Sequence, residues 1–122
     1  MPADVFPDDV TLLHNPRCSK SRAAKALLEE RGIAFRERLY LTEPLSAAEL
    51  SELATRLGQP PAEWVRRREG AYAEAGLSAS ADADTLLAAM AQHPILIERP
   101  IVIRGPRAVV GRPTENILEL ID

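Results

Sequence analysis

The stretch Val10-Thr11-Leu12-Leu13-His14-Asn15-Pro16-Arg17-Cys18-Ser19-Lys20-Ser21-Arg22 decides how this chain is read. Its first four residues have the composition of a short buried strand, which ends at His14-Asn15-Pro16. From Ser19 to Arg31 the apolar residues Ala23, Ala26, Leu27 and Leu28 recur at helical spacing, and Gly32 stands where a C-cap glycine belongs. Cys18 therefore falls between a strand and the first turn of a helix. There, unpaired backbone N–H groups and the macrodipole present about half a positive charge. A thiolate is stabilised in that position, and Arg17, Lys20 and Arg22 push in the same direction. Polar neighbours on both sides predict an accessible, reactive thiol in place of a buried apolar cysteine. Cys18-Ser19-Lys20-Ser21 has the spacing of a redox loop whose second thiol is missing; the Ser21 hydroxyl can hydrogen-bond the thiolate but cannot close a disulfide.

Outward from this unit, residues 33–41 carry Ile33, Phe35, Leu39 and Tyr40 among charges and predict a second strand, parallel to the first across the crossover helix. Ser46 with Glu49 forms a capping box for a helix whose stripe is Leu50, Leu53, Ala54 and Leu57, ended by Gly58. Pro60-Pro61 opens a short helix predicted to run through Trp64 and Val65 into Arg66-Arg67-Arg68. Residues 70–80 are turn-rich, and residues 82–92 form a further helix with Leu86, Leu87 and Met90 on one face. Ile101-Val102-Ile103, the turn Arg104-Gly105-Pro106 and Ala108-Val109-Val110 predict a β-hairpin, and Pro113 is placed at N1 of a last helix with Ile117, Leu118 and Ile121 inward. The fold class is α/β: β-α-β, a helical insertion over residues 42–93, then β-β-α. With a cysteine after the first strand and a proline before the third, this is a thioredoxin-like order, read as one domain over residues 1–122.

Composition narrows the function. One cysteine and two histidines, His14 and His93, cannot supply the ligands of a structural zinc site or an internal disulfide, so neither metal nor bound cofactor is expected. No secretory leader and no apolar run of about 18–20 residues is visible, which points to a cytoplasmic protein without membrane insertion. The net charge of −3 and four aromatics besides Trp64 give no basic, ring-interleaved face for nucleic acid. Thirteen of the fifteen basic residues are arginines, whose planar forks suit oxyanions, although a general arginine bias accounts for most of that count.

The loop His14-Asn15-Pro16-Arg17-Cys18-Ser19-Lys20-Ser21-Arg22 resembles the active-site loop of the glutaredoxin-coupled arsenate reductase family. The resemblance continues through Leu39-Tyr40-Leu41, Arg66, Leu77, the segment His93-Pro94-Ile95-Leu96-Ile97-Glu98-Arg99-Pro100-Ile101-Val102, and Gly111-Arg112-Pro113. It implies Cys18 as nucleophile, Arg66, Arg99 and Arg112 as the oxyanion-binding arginines, His14 beside the cysteine loop, and Pro100 as a cis-proline. Arg66 also lies in a triple-arginine run that reads equally as a solvated helix face, and Arg112 reads equally as an ordinary surface arginine. The implied reaction is reduction of arsenate, or a similar oxyanion, to arsenite. Because one thiol cannot supply both electrons, glutathione as reductant and glutaredoxin as partner are implied. Arg17, Ser19 and Lys20 stand where better-understood reductases have small residues, Leu13 stands where an aromatic is usual, and the chain stops soon after its last helix. These features resemble a related subgroup of uncertain substrate. Two other readings stay open: a transcription regulator that binds RNA polymerase, which usually carries a second cysteine where Ser21 stands, and a monothiol glutaredoxin-like enzyme, which does not require three arginines.

Overall fold

A computed structural model describes residues 10–121. Four strands, β1 (Val10–Leu13), β2 (Phe35–Arg38), β3 (Ile101–Arg104) and β4 (Arg107–Val110), form one sheet in the order β2-β1-β3-β4. β1 pairs parallel with β2, as the crossover helix α1 (Ser19–Glu30) requires, and antiparallel with β3. The hairpin β3–β4 turns at Gly105-Pro106.

All four residues of β1 are buried because both faces of the sheet are covered. Val10, Leu12 and Val102 pack with Ala24 and Leu28 of α1 and with Ile117 and Leu120. Leu13, Ile101 and Ile103 point to the opposite face, against Leu50, Leu53, Trp64, Leu86 and Met90 of the insertion. That insertion comprises α2 (Ala47–Leu57), α3 (Gly70–Glu74) and α4 (Ala83–Gln92). α2 begins with the expected capping box, Ser46 Oγ accepting from the Glu49 N–H and the Glu49 carboxylate from the Ser46 N–H, and ends at Gly58 with φ +66°, a conformation that suits glycine. Truncating Leu53, fully buried in this layer, to alanine is expected to cost about 2–5 kcal/mol.

Several boundaries differ from the sequence reading. The second strand is only Phe35–Arg38, an edge strand with charged side chains. The helix expected through Trp64 and Val65 is a single 3₁₀ turn, Pro61–Glu63; Val65 is instead extended and bridges Ile97 in antiparallel fashion. Burying both Trp64 and Val65 while pairing the backbone with residues 96–98 outweighs the helical pattern. Residues 70–80 contain the short α3. Pro113 is the N-cap, not N1, and the last segment starts as a 3₁₀ turn, Thr114–Ile117, before α5 (Leu118–Ile121). Among the described residues no helix is long and apolar enough to cross a membrane.

Candidate active site

Sheet register assembles the site. Leu13, the last residue of β1, lies opposite Ile101, the first of β3, and Ile101 lies opposite Val110, the last of β4. The loop after β1, the residues before β3 and the residues after β4 therefore meet at one end of the sheet, bringing Cys18, Arg99-Pro100 and Gly111-Arg112 together. The Gly111 N–H donates to the Pro100 carbonyl at 2.8 Å. The Arg99–Pro100 bond is cis, as expected; Arg112–Pro113 is cis as well, which the sequence reading did not anticipate.

Cys18 is the N-cap of α1, with extended backbone, its N–H donating to the Asn15 carbonyl at 3.0 Å. It is buried, 9% exposed, which corrects the expectation that its polar neighbours would keep it accessible: Arg17, Ser19 and Lys20 point outward while Cys18 turns in. Burial pushes the thiol up, but the Ser21 and Lys20 N–H groups and the Arg99 guanidinium together hold it below its ordinary value. The stabilising cation is thus Arg99, not Arg17 or Arg22; Arg22 Nη1 donates to the Pro16 carbonyl.

Ser21 is placed in the site, but its hydroxyl does not serve the thiolate. The fully buried Oγ accepts from the Asn15 N–H at 3.0 Å and lies 2.7 Å from His14 Nδ1. The other ring nitrogen, Nε2, faces Glu37 Oε1 at 3.8 Å. Burial, helped by Lys25 and Arg22 and opposed by Glu37, lowers the His14 pKa, so the ring is neutral near pH 7. His14 reaches Cys18 only through Ser21 and the loop, a supporting position.

The Arg66 and Arg112 side chains approach the Glu98 carboxylate, which also accepts from the Arg99 N–H. Arg66 is anchored where its N–H donates to the Leu96 carbonyl, beside the Val65–Ile97 bridge. Its Nη1 lies 2.6 Å from Glu69 Oε1 and its Nε 3.9 Å from Glu98 Oε1, whereas Arg67 and Arg68 are exposed. The solvated-face reading therefore fits those two and not Arg66. Arg112 Nε donates to the Arg99 carbonyl at 2.8 Å and lies 3.6 Å from Glu98 Oε1, so it is not a free surface arginine. Arg99 Nε and Nη1 are shielded from solvent and have no acceptor among the described residues. Unpaired buried donors of this kind cost about 1–3 kcal/mol each unless a ligand satisfies them.

Three further residues belong to the site. Asn15 organises the loop, its Oδ1 accepting from the Arg17 N–H at 3.0 Å; an Asn two residues before a loop arginine is a readable turn signal. Tyr40 is buried beside Arg99, Cys18, Glu98 and Arg112, and burial, with Cys18 and Glu98 adding to it and Arg99 and Arg112 opposing, pushes its phenol up to about 12. Glu98 carries no local sequence signal, because its meaning comes from arginines distant in the chain.

Chemically, this is a depressed-pKa thiol beside a guanidinium with open donors, held at a helix N-terminus: a nucleophilic thiol site suited to oxyanions on a thioredoxin-like frame. The model of the ArsC family matches residues 13–120, and the chain belongs to that family. It is 49% identical to an arsenate reductase of Neisseria meningitidis serogroup A over 89% of this chain and 95% of that protein. It is 43% identical to the uncharacterised protein YfgD of Escherichia coli, over 92% of this chain and 96% of that one. A solved arsenate reductase from Vibrio cholerae superposes with a TM-score of 0.87 at 44% identity, covering 93% of this chain and 98% of the other.

Proposed function

We propose that this chain is an arsenate reductase, acting as one domain, in which Cys18 attacks arsenic while Arg66, Arg99 and Arg112 hold the oxyanion. The observation that carries the reading is Arg99: its guanidinium stabilises the Cys18 thiolate while its Nε and Nη1 keep donors without acceptors. An oxyanion seated on those donors has its charge offset beside the nucleophile.

In the proposed reaction Cys18 Sγ bonds to arsenic and a protonated arsenate oxygen leaves as water. The glutathione thiolate then attacks Sγ, forming a Cys18–glutathione disulfide as the S–As bond breaks. Its electron pair stays on arsenic, which leaves as arsenite. Two thiolates have supplied the two electrons, and glutaredoxin attacks the glutathione sulfur to return Cys18 as a thiolate. A cycle of this kind suits the reducing cytoplasm and needs no resident cofactor.

The test is NADPH consumption in arsenate with glutathione, glutaredoxin and glutathione reductase. Arsenate-dependent turnover that Cys18→Ser abolishes is expected. Turnover retained by Cys18→Ser would reject the reading, and turnover with thioredoxin and its reductase in place of the glutathione system would replace the reductant.

A further inference from the structure

A carboxylate within a group of arginines that binds anions calls for a reason, since it cancels charge the pocket otherwise offers. Glu98 Oε1 accepts from the Arg99 N–H at 3.1 Å, and lies 3.6 Å from Arg112 Nε and 3.9 Å from Arg66 Nε. It meets the guanidinium groups of Arg66 and Arg112 and the backbone of Arg99. Its backbone is fixed: the Glu98 N–H donates to the Trp64 carbonyl at 3.0 Å, one residue from the Val65–Ile97 bridge that also sets Arg66. Glu98 lines a cavity of about 400 Å³ with Val65, Arg66, Arg67, Arg68 and Arg112, so the carboxylate borders the space an anion held by Arg66 and Arg112 would occupy; Arg99 follows Glu98 directly in the chain.

We propose that Glu98 selects the protonation state of the bound oxyanion, favouring tetrahedral oxyanions that still carry a proton over fully deprotonated ones. This rests on the oxyanion reading of the site and adds to it. A carboxylate only accepts hydrogen bonds. An oxyanion oxygen placed against it must bring its own O–H, or two sets of lone pairs and two negative charges oppose each other. Arsenate and phosphate keep at least one proton at neutral pH, whereas sulfate keeps none. Arg66, Arg99 and Arg112 attract all three alike, so the distinction falls to the acceptor: discrimination comes from an element that repels the wrong ligand. Arsenate meets this requirement. Its O–H donates to Glu98 while its other oxygens take the guanidinium donors.

The experiment measures protection of Cys18 from alkylation by iodoacetamide at neutral pH and matched ionic strength, with arsenate, phosphate or sulfate as probe. It compares the unmodified chain with Glu98→Gln and Glu98→Asp. The unmodified chain and Glu98→Asp should prefer phosphate and arsenate over sulfate, and in Glu98→Gln that preference should shrink by about tenfold or more. A general disturbance of the pocket would weaken all three anions together and leave their ratio in place. An unchanged ratio in Glu98→Gln overturns the selectivity role while leaving the pocket intact. Absence of protection by any of the three anions overturns the oxyanion reading, and this proposal with it.

Discussion

Arg112 Nε donates to the carbonyl of Arg99 at 2.8 Å, so a side chain two residues past β4 fixes the backbone of the residue that faces the thiol. This couples two arginines that the sequence separates by a whole hairpin. Removing Arg112 takes away both a guanidinium and this tether. Arg112→Ala is expected to lower kcat/KM for arsenate by about tenfold to a hundredfold, the worth of a charge-assisted hydrogen bond. Arg112→Lys should recover only part of the loss, because an ammonium cannot reproduce the fork. Steady-state kinetics on the two variants checks this.

The thiol provides a pH prediction. Cys18 has a folded-state pKa below its ordinary value of 9.0, so thiolate formation stabilises the fold fully above 9.0, and that contribution is lost as pH falls through the folded-state value. Alkylation rate against pH should therefore titrate below 9.0 in the native protein. Arg99→Ala removes the guanidinium that lowers the pKa and should move the midpoint upward. A midpoint unmoved by that substitution would show that the helix-terminal N–H groups act alone.

His14 works in the same sense at lower pH. Its lowered folded-state pKa means that, as pH falls below the ordinary 6.5, the unfolded chain takes up a proton the folded chain resists. Stability should then fall until the folded-state ring also protonates. Urea unfolding at pH 7 and at pH 5 should show this loss, and His14→Gln should flatten it.

Much of this fold was legible because periodicity and capping act locally. The β1 run, the α1 stripe, the Ser46–Glu49 box and the Gly105-Pro106 turn each declare themselves within a few residues. The end of the Pro61 turn was not, because Val65 leaves the helix to pair with Ile97, a partner invisible in local pattern. The same distinction runs through the site. Cys18 and its helix were readable in order, and Arg66, Arg99 and Arg112 from the resemblance. The inward turn of Cys18, the diversion of the Ser21 hydroxyl to His14, and the place of Tyr40 and Glu98 all depend on contacts made across the sheet end.

Gly111 is a further such contact. A Cβ added there would lie 3.0 Å from both Pro100 Cγ and Ile117 Cδ1, and the Gly111 N–H is committed to the Pro100 carbonyl. Gly111→Ala must displace Pro100 or Ile117. It is expected to destabilise by about 1–3 kcal/mol and to depress turnover through misplacement of Arg99 and Arg112. Thermal melting combined with kinetics at a temperature where the variant remains folded separates the two effects.

Mass spectrometry of the intact protein after incubation with glutathione and arsenate, without glutaredoxin, reads the state of Cys18 in the proposed cycle. One glutathionyl group on Cys18, formed in step with arsenite and only when arsenate is present, is the predicted result. Arsenite released with no modification of Cys18, or equal glutathionylation with and without arsenate, would rule out Cys18 as the thiol that carries arsenic.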